Sequence, residues 1–292
     1  MTLPLLILAA LASPEQRAVA YLVQEVPAWP QQNHCFSCHN NGDGARALYQ
    51  AHRRRFTIPL PALTSTTEWL SHPDRWDSLP GDAVFSDKRL ARIQFAVALT
   101  EAYESGLLSD PQPLRDAAQS LVRLQHADGY WPLDGGDSLG SPVTYGVPLA
   151  TALATRTLEA AATSGDSVQR AKRWLRFLRL STTLDAAAVL LTVERPEALQ
   201  FLLQAQGTSG GWGPYPRSPA EPFDTAIAVL ALVSLDRPAL DRARQYLIRT
   251  QRPDGSWPET TRPSGAQSYA QRISTSAWAT QALLATLPKT PR

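Results

Sequence analysis

The most specific chemical spacing in the chain is His34-Cys35-Phe36-Ser37-Cys38-His39. Cys-x-x-Cys-His is the attachment pattern of a c-type haem, in which two thiols add to the vinyl groups and the adjacent histidine ligates iron. Met1 is the only methionine, so a His/Met-ligated iron is excluded; a sixth ligand would be His34, His52, His72, His126 or water. Cys35, Cys38 and His39 also suit zinc, with His34, Asp43 or His52 completing the set. The two thiols alone suit a disulfide, or a reactive dithiol whose pKa is lowered at a helix start. The pattern predicts one functional unit at Cys35, Cys38 and His39, with covalent haem the first expectation and zinc or a dithiol the alternatives.

A second set of candidates is acidic. Asp43, Asp185 and Asp224 each stand just ahead of an alanine-rich run, and Thr275 holds that place before the last such run. Aspartate there caps a helix, accepting bonds from free N–H groups and complementing the dipole. If the helix starts gather at one end of a cavity, the same carboxyls could act as general acid and base. Asp224 is the favoured catalytic residue, because Gly210-Gly-Trp-Gly-Pro-Tyr-Pro216 before it has the composition of a binding loop. Residues 258–272 read as a polar loop, with Tyr269, Gln271 and Arg272 at a cavity mouth or in solvent.

Positioning these groups requires a scaffold, and the scaffold is a repeat. Gln-x3-Gly-x-Trp occurs at Gln125–Trp131, Gln206–Trp212 and Gln251–Trp257. Each copy follows an amphipathic run and precedes, across a Pro/Gly/Ser-rich loop, a nearly uncharged run of Ala, Leu and Thr. The pairs are 15–27 with 43–51, 62–76 with 88–105, 112–125 with 144–162, 166–180 with 183–193, 195–205 with 223–235, and 238–250 with 273–287. The first helix of each pair suits an outer, water-facing position and the second a fully buried one. About six such hairpins must stack to bury their apolar faces, and a closed ring leaves no end exposed. No strand alternation is present. The expectation is an all-α α/α toroid over residues 13–292, its first hairpin, 15–51, carrying the cysteines.

The Gln-x3-Gly-x-Trp copies resemble the QW repeat of squalene and oxidosqualene cyclases and the related protein prenyltransferase subunits. The resemblance covers residues 112–290 well and 15–105 more loosely. It implies an α/α barrel in which Gln125, Trp131, Gln206, Trp212, Gln251 and Trp257 tie hairpins together, and an apolar or isoprenoid-like ligand in a central cavity. It does not bring the family's chemistry with it. The Asp-x-Asp-Asp acid motif and the Asp-Asp-x-x-Asp magnesium-diphosphate motif are both missing, and Asp134/Asp137 have the wrong spacing. Both cysteines lie in the first hairpin, so the zinc site of the prenyltransferases has no counterpart.

Bulk properties narrow the rest. A net charge of +2 over 292 residues gives no reason to expect a nucleic-acid partner. Arg53-Arg54-Arg55, the densest basic run, reads as a solvated face. Residues 3–12 are apolar and end in Ala10-Leu11-Ala12, which reads as a signal peptide without its positive start. Export to a periplasmic or extracellular compartment is the expectation, and a cytoplasmic location follows if residues 1–12 are no signal. The stretch is too short to cross a bilayer, and no transmembrane segment is expected. The oligomeric state is not legible. The leading function is a cyclase-like toroid that binds an apolar ligand and carries a haem or metal centre. The rivals are a non-catalytic scaffold, with a filled centre, and a carbohydrate lyase or hydrolase, with a groove onto which Asp, Arg and Tyr converge.

Overall fold

Amphipathic and all-apolar helices alternate along the chain in the computed structural model, which describes residues 12–78, 87–134, 145–163, 165–260 and 268–288. The outer helices are α1 (Pro14–Asn33), α3 (Pro61–Leu70), α5 (Gln112–Leu124), α7 (Gly165–Phe177), α9 (Pro196–Ala205) and α11 (Arg237–Thr250). The inner ones are α2 (Ala45–Arg53), α4 (Lys88–Glu104), α6 (Gly146–Ala160), α8 (Thr183–Leu190), α10 (Pro222–Leu232) and α12 (Tyr269–Thr286). A π-helix, Cys38–Gly44, leads into α2. Among the described residues there is no strand. Each inner helix packs on the next, and α12 closes the ring against the π-helix and α2. The fold is therefore an all-α α/α toroid of six hairpins. The expected signal segment lies, apart from Ala12, outside the described residues. No described helix is long and apolar enough to cross a membrane.

Composition explains the two layers. On α11 only Ala239, Leu240, Ala243, Tyr246 and Leu247 are buried, a single stripe at helical spacing. On α12 every residue from Ile273 to Leu284 is buried. The inner-helix threonines remain apolar in effect because their hydroxyls bond back one turn, Thr155 to Thr151, Thr100 to Ala96 and Thr280 to Ser276.

The repeat works as a lock between neighbouring hairpins. Trp131, Trp212 and Trp257 donate their indole N–H to the carbonyls of Leu121, Leu202 and Leu247, at 2.7–2.8 Å. Those carbonyls lie in the last turn of the preceding outer helix, where no helical N–H remains for them. The tryptophan backbone N–H groups go to hydroxyls on the following inner helix: Thr151, Thr225 and Ser276. Gln125, Gln206 and Gln251 reach the first turn of the next outer helix, at the carbonyls of Ser167, Ala239 and Pro14. The Gln251–Pro14 bond joins the last hairpin to the first. An arginine three residues beyond each of those carbonyls, Arg170, Arg242 and Arg17, returns a bond to the same glutamine. The repeat glycines are needed for close approach. A Cβ on Gly129, Gly210 or Gly255 would lie 2.4, 2.7 or 2.2 Å from the carbonyl oxygen of Arg170, Arg242 or Arg17, and all three have positive φ.

Several boundaries differ from the sequence reading, among them the end of α3 at Leu70 where the expectation is 62–76 and the start of α2 at Ala45 where it is 43–51. Helix α1 continues past Pro27 and Pro30 to Asn33. Pro30 offers no N–H to the Val26 carbonyl, and the Asn41 side chain supplies the missing donor at 3.2 Å. Helix α12 begins at Tyr269, because Ser268 caps it by accepting from the Gln271 N–H. Tyr269, Gln271 and Arg272 therefore belong to the first helical turn and not to a loop.

Candidate active site

Asp43 sits inside the π-helix, 0% exposed, and does not cap a helix. The π-helix lies between α4 and α12, and Gly42 permits the fit: a Cβ there would press on Gln94 at 3.2 Å. Such wide turns inside helices frequently mark functional positions. Asn40 and Asn41 fasten the segment to α1 and α3 through the Glu25 and Val26 carbonyls and the Thr66 hydroxyl.

Three donors converge on one oxygen of Asp43. Ser274 Oγ donates to Oδ2 at 2.7 Å, Gln94 Nε2 at 3.1 Å, and the Tyr145 hydroxyl donates to the same atom. The direction of the last bond follows from its surroundings. Gln94 Nε2 and Trp278 Nε1 both donate to the Tyr145 oxygen, at 2.8 and 3.2 Å, so its own proton points to Asp43. Oδ2 is thus committed as an acceptor, and Oδ1 has no partner among the described residues. When Asp43 is protonated, the proton belongs on Oδ1, where no described residue accepts from it. Burial pushes this carboxyl up to about 6, against the opposing pull of its three donors and of Arg46. Burial and the neighbouring Asp43 hold the Tyr145 phenol well above its ordinary value, so it remains a donor.

Aromatic rings surround this acid. Tyr145 stacks on Phe223 with centroids 5.9 Å apart, and Trp278 meets both rings edge-on at 5.7 and 6.1 Å. The Arg46 guanidinium lies 4.5 Å from the Trp278 ring centre. Farther along the ring axis, Glu101 is 1% exposed and pairs with Arg53 and Arg156. Burial raises the Glu101 carboxyl, but Arg156, Arg46 and Arg53 outweigh it and hold the group below its ordinary value.

The other aspartates have different fates. Asp185 is the third residue of a capping box, its Oδ2 accepting from the backbone of Ser181 and Thr182 and from the Ser181 hydroxyl. That is a structural use of the carboxylate. Asp224 is enclosed in the first turn of α10, and its charge acts on Tyr246 of the outer helix α11, after burial and Glu221.

The Cys-x-x-Cys-His expectations do not fit their surroundings. His39 is 8% exposed and its Nε2 lacks a partner among the described residues. Its ring, however, abuts Trp29 edge-on at 4.8 Å and Tyr269 at 6.0 Å, and those two stack on each other at 5.7 Å. A haem standing on that nitrogen would need the space these rings fill. Among the described residues, no three His, Cys, Asp or Glu are grouped so as to hold a metal ion. Burial lowers His39 to about 4, which keeps it neutral. Burial, with Asp43, raises the Cys38 thiol to about 12. This is the reverse of the activated dithiol that the sequence suggested. Both cysteines are free thiols. Tyr269, expected at a mouth, donates to Glu25 at 2.5 Å and accepts from Asn40 at 2.8 Å. Arg272 lies over the Tyr269 ring, and Gln271 is buried. The structure thus brings the first hairpin and the start of α12 together at the seam where the ring closes.

Comparison with known proteins gives the fold its kin. No family model matches the chain. Over 168 residues, 55% of the chain, it is 30% identical to a drimenyl diphosphate synthase of Streptomyces showdoensis. Over 64 residues, 21% of the chain, it is 44% identical to a drimenyl diphosphate synthase of Streptantibioticus cattleyicolor. The matches span only 26% and 12% of those relatives. Among solved structures, the type II terpene cyclase MstE from Scytonema superposes with a TM-score of 0.58 at 15% identity, covering 93% of this chain and 96% of that one. MstE with its product, merosterolic acid A, gives 0.58 at 16% identity over 98% and 99%. A protein from Actinoplanes gives 0.57 at 18% identity over 93% and 99%.

Proposed function

On this terpenoid-cyclase-like toroid, we propose that Asp43 is a general acid that protonates an isoprenoid-like substrate and initiates its isomerisation or cyclisation. One observation carries the reading: a fully buried carboxyl with one oxygen held by three donors and the other without an acceptor. Such a group carries its proton on Oδ1, the oxygen that no described side chain engages. A carbon–carbon double bond is a weak base, so the acid that protonates it must be poorly solvated and offered no better acceptor. Tyr145, Phe223 and Trp278 supply apolar faces around it, and Tyr145, Gln94 and Ser274 stabilise the carboxylate left behind. MstE binds an isoprenoid product, and the two synthases are named for an isoprenoid diphosphate; these support the substrate class. The acid reading needs no metal or haem.

The non-catalytic scaffold is the second reading, and it has its own support in the fully buried Tyr145, Phe223 and Trp278 rings, which pack on one another. The polar atoms without partners in that centre count against it, because a purely structural core gains nothing from them. Asp43, Arg46 and Tyr145 do converge, as the carbohydrate reading asked, but they do so in an enclosed centre and not along a groove. The test is to incubate the protein with squalene, geranylgeraniol and farnesyl diphosphate separately and to analyse the products by mass. Conversion by the wild type, increasing as pH falls toward 6 and lost in Asp43→Asn, supports the acid. Binding without conversion of any of the three supports the scaffold.

A further inference from the structure

Asp43, Tyr145, Phe223 and Trp278 are all fully buried, so a ligand that meets this acid has to pass a closed end of the ring. Sequence spacing shows what closes one of them. Gln50, Glu101 and Gln281 follow Asp43, Gln94 and Ser274 by seven residues each. Seven residues are close to two turns, which returns to nearly the same helix face about 10 Å farther along. The faces that carry the acid therefore carry a second polar layer. Gln50 joins it across three helices, its Nε2 donating to Glu101 Oε1 at 2.9 Å and to Gln281 Oε1 at 3.2 Å. Arg46 and Trp278, one turn after Asp43 and Ser274, come between the two layers, the guanidinium over the ring. Glu101 is the largest attractive charge on Arg46.

The outer side of the second layer carries ion pairs. Arg53, the last residue of α2, and Arg156, in the last turns of α6, reach Glu101 at 3.2 and 2.7 Å, and both also hold Glu104. Glu101 is 1% exposed, whereas the side chains of Arg53 and Arg156 are 37% and 39% exposed. The collar is thus anchored inside and solvated outside, and ion pairs of that exposure are weak and screened by salt. These residues lie toward the C-terminal ends of the inner helices, which share one end of the ring because each inner helix runs back along its outer partner. Single exposed aliphatic side chains need no explanation, but here they gather at this end. Among the described residues the exposed large aliphatics are Leu60, Leu191, Val233 and Leu235, and all four stand in turns that leave an inner helix. At the opposite end Asn40 and Asn41 pin the π-helix to backbone carbonyls of α1.

We propose that Arg53, Arg156 and Glu101 form an ion-pair gate, and that an apolar ligand enters and leaves the toroid centre through it, at the C-terminal end of the inner helices. The inference rests on the isoprenoid reading above and adds the route and the residues that control it. Opening requires Arg53 and Arg156 to swing outward, and long arginine side chains place their charged heads in water readily. Arg46 and Gln50 stay with Glu101 when the outer arginines leave, so the buried carboxylate keeps a cation and a donor. Such a gate is closed in both the empty and the loaded protein. Weakening it lowers the barrier between those states and leaves their free-energy difference unchanged.

Stopped-flow measurement on the intact protein tests the gate with two neutral probes: geranylgeraniol, followed by tryptophan fluorescence, and the dye phenylnaphthylamine, followed by its own emission. In Arg156→Gln and in Arg53→Gln the association and dissociation rate constants should rise together by roughly fivefold, the most that a half-exposed ion pair is worth, with Kd unchanged within about twofold. In the wild type, raising salt from about 0.02 M to about 0.5 M should speed dissociation as well as association, whereas salting-out of an apolar probe speeds association alone. If geranylgeraniol binds and neither substitution nor salt alters its rates, the gate is overturned and the isoprenoid reading stands. Faster exchange in Arg272→Gln, at the seam, and not in Arg156→Gln places the passage at the other end and also overturns the gate. A changed Kd with unchanged dissociation does so too, because the arginines would then shape the bound state and not the passage. Accelerated exchange of the dye without any binding of geranylgeraniol leaves the gate and overturns the isoprenoid reading. No binding of either probe overturns both. If Arg156→Gln does not fold, Arg53→Gln and the salt series decide the matter.

Discussion

Replacing Asp43 with asparagine should make the protein more stable in weak alkali and remove a specific part of its pH dependence. The folded-state pKa of Asp43 is raised from 3.8 to about 6 by burial. A raised carboxyl contributes stability fully below its unfolded pKa, and that contribution is lost as pH rises through the folded value. A shift of about two units corresponds to roughly 3 kcal/mol at 1.36 kcal/mol per unit. The side chain is fully enclosed, so solvent screening does not dilute it. Asparagine fits the same place. Its amide oxygen can accept from Tyr145, Gln94 and Ser274, and its NH2 takes the position of Oδ1. Urea unfolding of wild type and variant at pH 4, 6 and 8 gives the difference between the two curves, in which Glu101 and every other titrating group cancel. The wild type should lose about 3 kcal/mol relative to the variant between pH 4 and pH 8. Parallel curves would show that Asp43 has an ordinary pKa, and the argument for a poised acid would fail.

Other outcomes follow from the lock and from the first hairpin. Trp212→Ala removes a fully buried ring and its bond to Leu202 and should cost about 3–5 kcal/mol in urea unfolding; an unchanged midpoint would remove the lock. Gly210→Ala sets a Cβ 2.7 Å from the Arg242 carbonyl at φ +88° and should cost more than about 1 kcal/mol, whereas wild-type stability in the alanine variant would mean that the hairpins are not held in close approach. Protein produced in a haem-attaching host beside a control cytochrome should be colourless, because Trp29 and Tyr269 fill the space beside His39; colour that survives acid-acetone extraction would overturn that packing.

The repeat made the toroid legible because its information is local: an outer helix end, a turn and a tryptophan lie within a few residues of one another. The partners of that repeat were not legible. Arg17, Arg170 and Arg242 lie on the next outer helix, and Thr151, Thr225 and Ser276 look like any other inner-helix hydroxyl. Asp43 stood out beside Asp185 and Asp224 through a shared position, and Asp185 proved to belong to a capping box. Nothing in the local pattern announced that Cys38–Gly44 would form a π-helix and carry Asp43 inward. Gln94, Tyr145 and Ser274 meet Asp43 across 51 to 231 residues of chain, a convergence that only ring closure creates. The Cys-x-x-Cys-His spacing suggested a cofactor because spacing cannot show that Trp29 and the sequence-distant Tyr269 pack against the His39 ring.

Deuterium transfer tests the central claim most directly. With Asp43 as the acid, a proton from solvent passes through its carboxyl to substrate carbon. Turnover of squalene, geranylgeraniol or farnesyl diphosphate in heavy water should then give a rearranged product holding one non-exchangeable deuterium, seen by mass spectrometry and absent with Asp43→Asn. A product without deuterium, or the same labelled product from the asparagine variant, would contradict Asp43 as the proton donor.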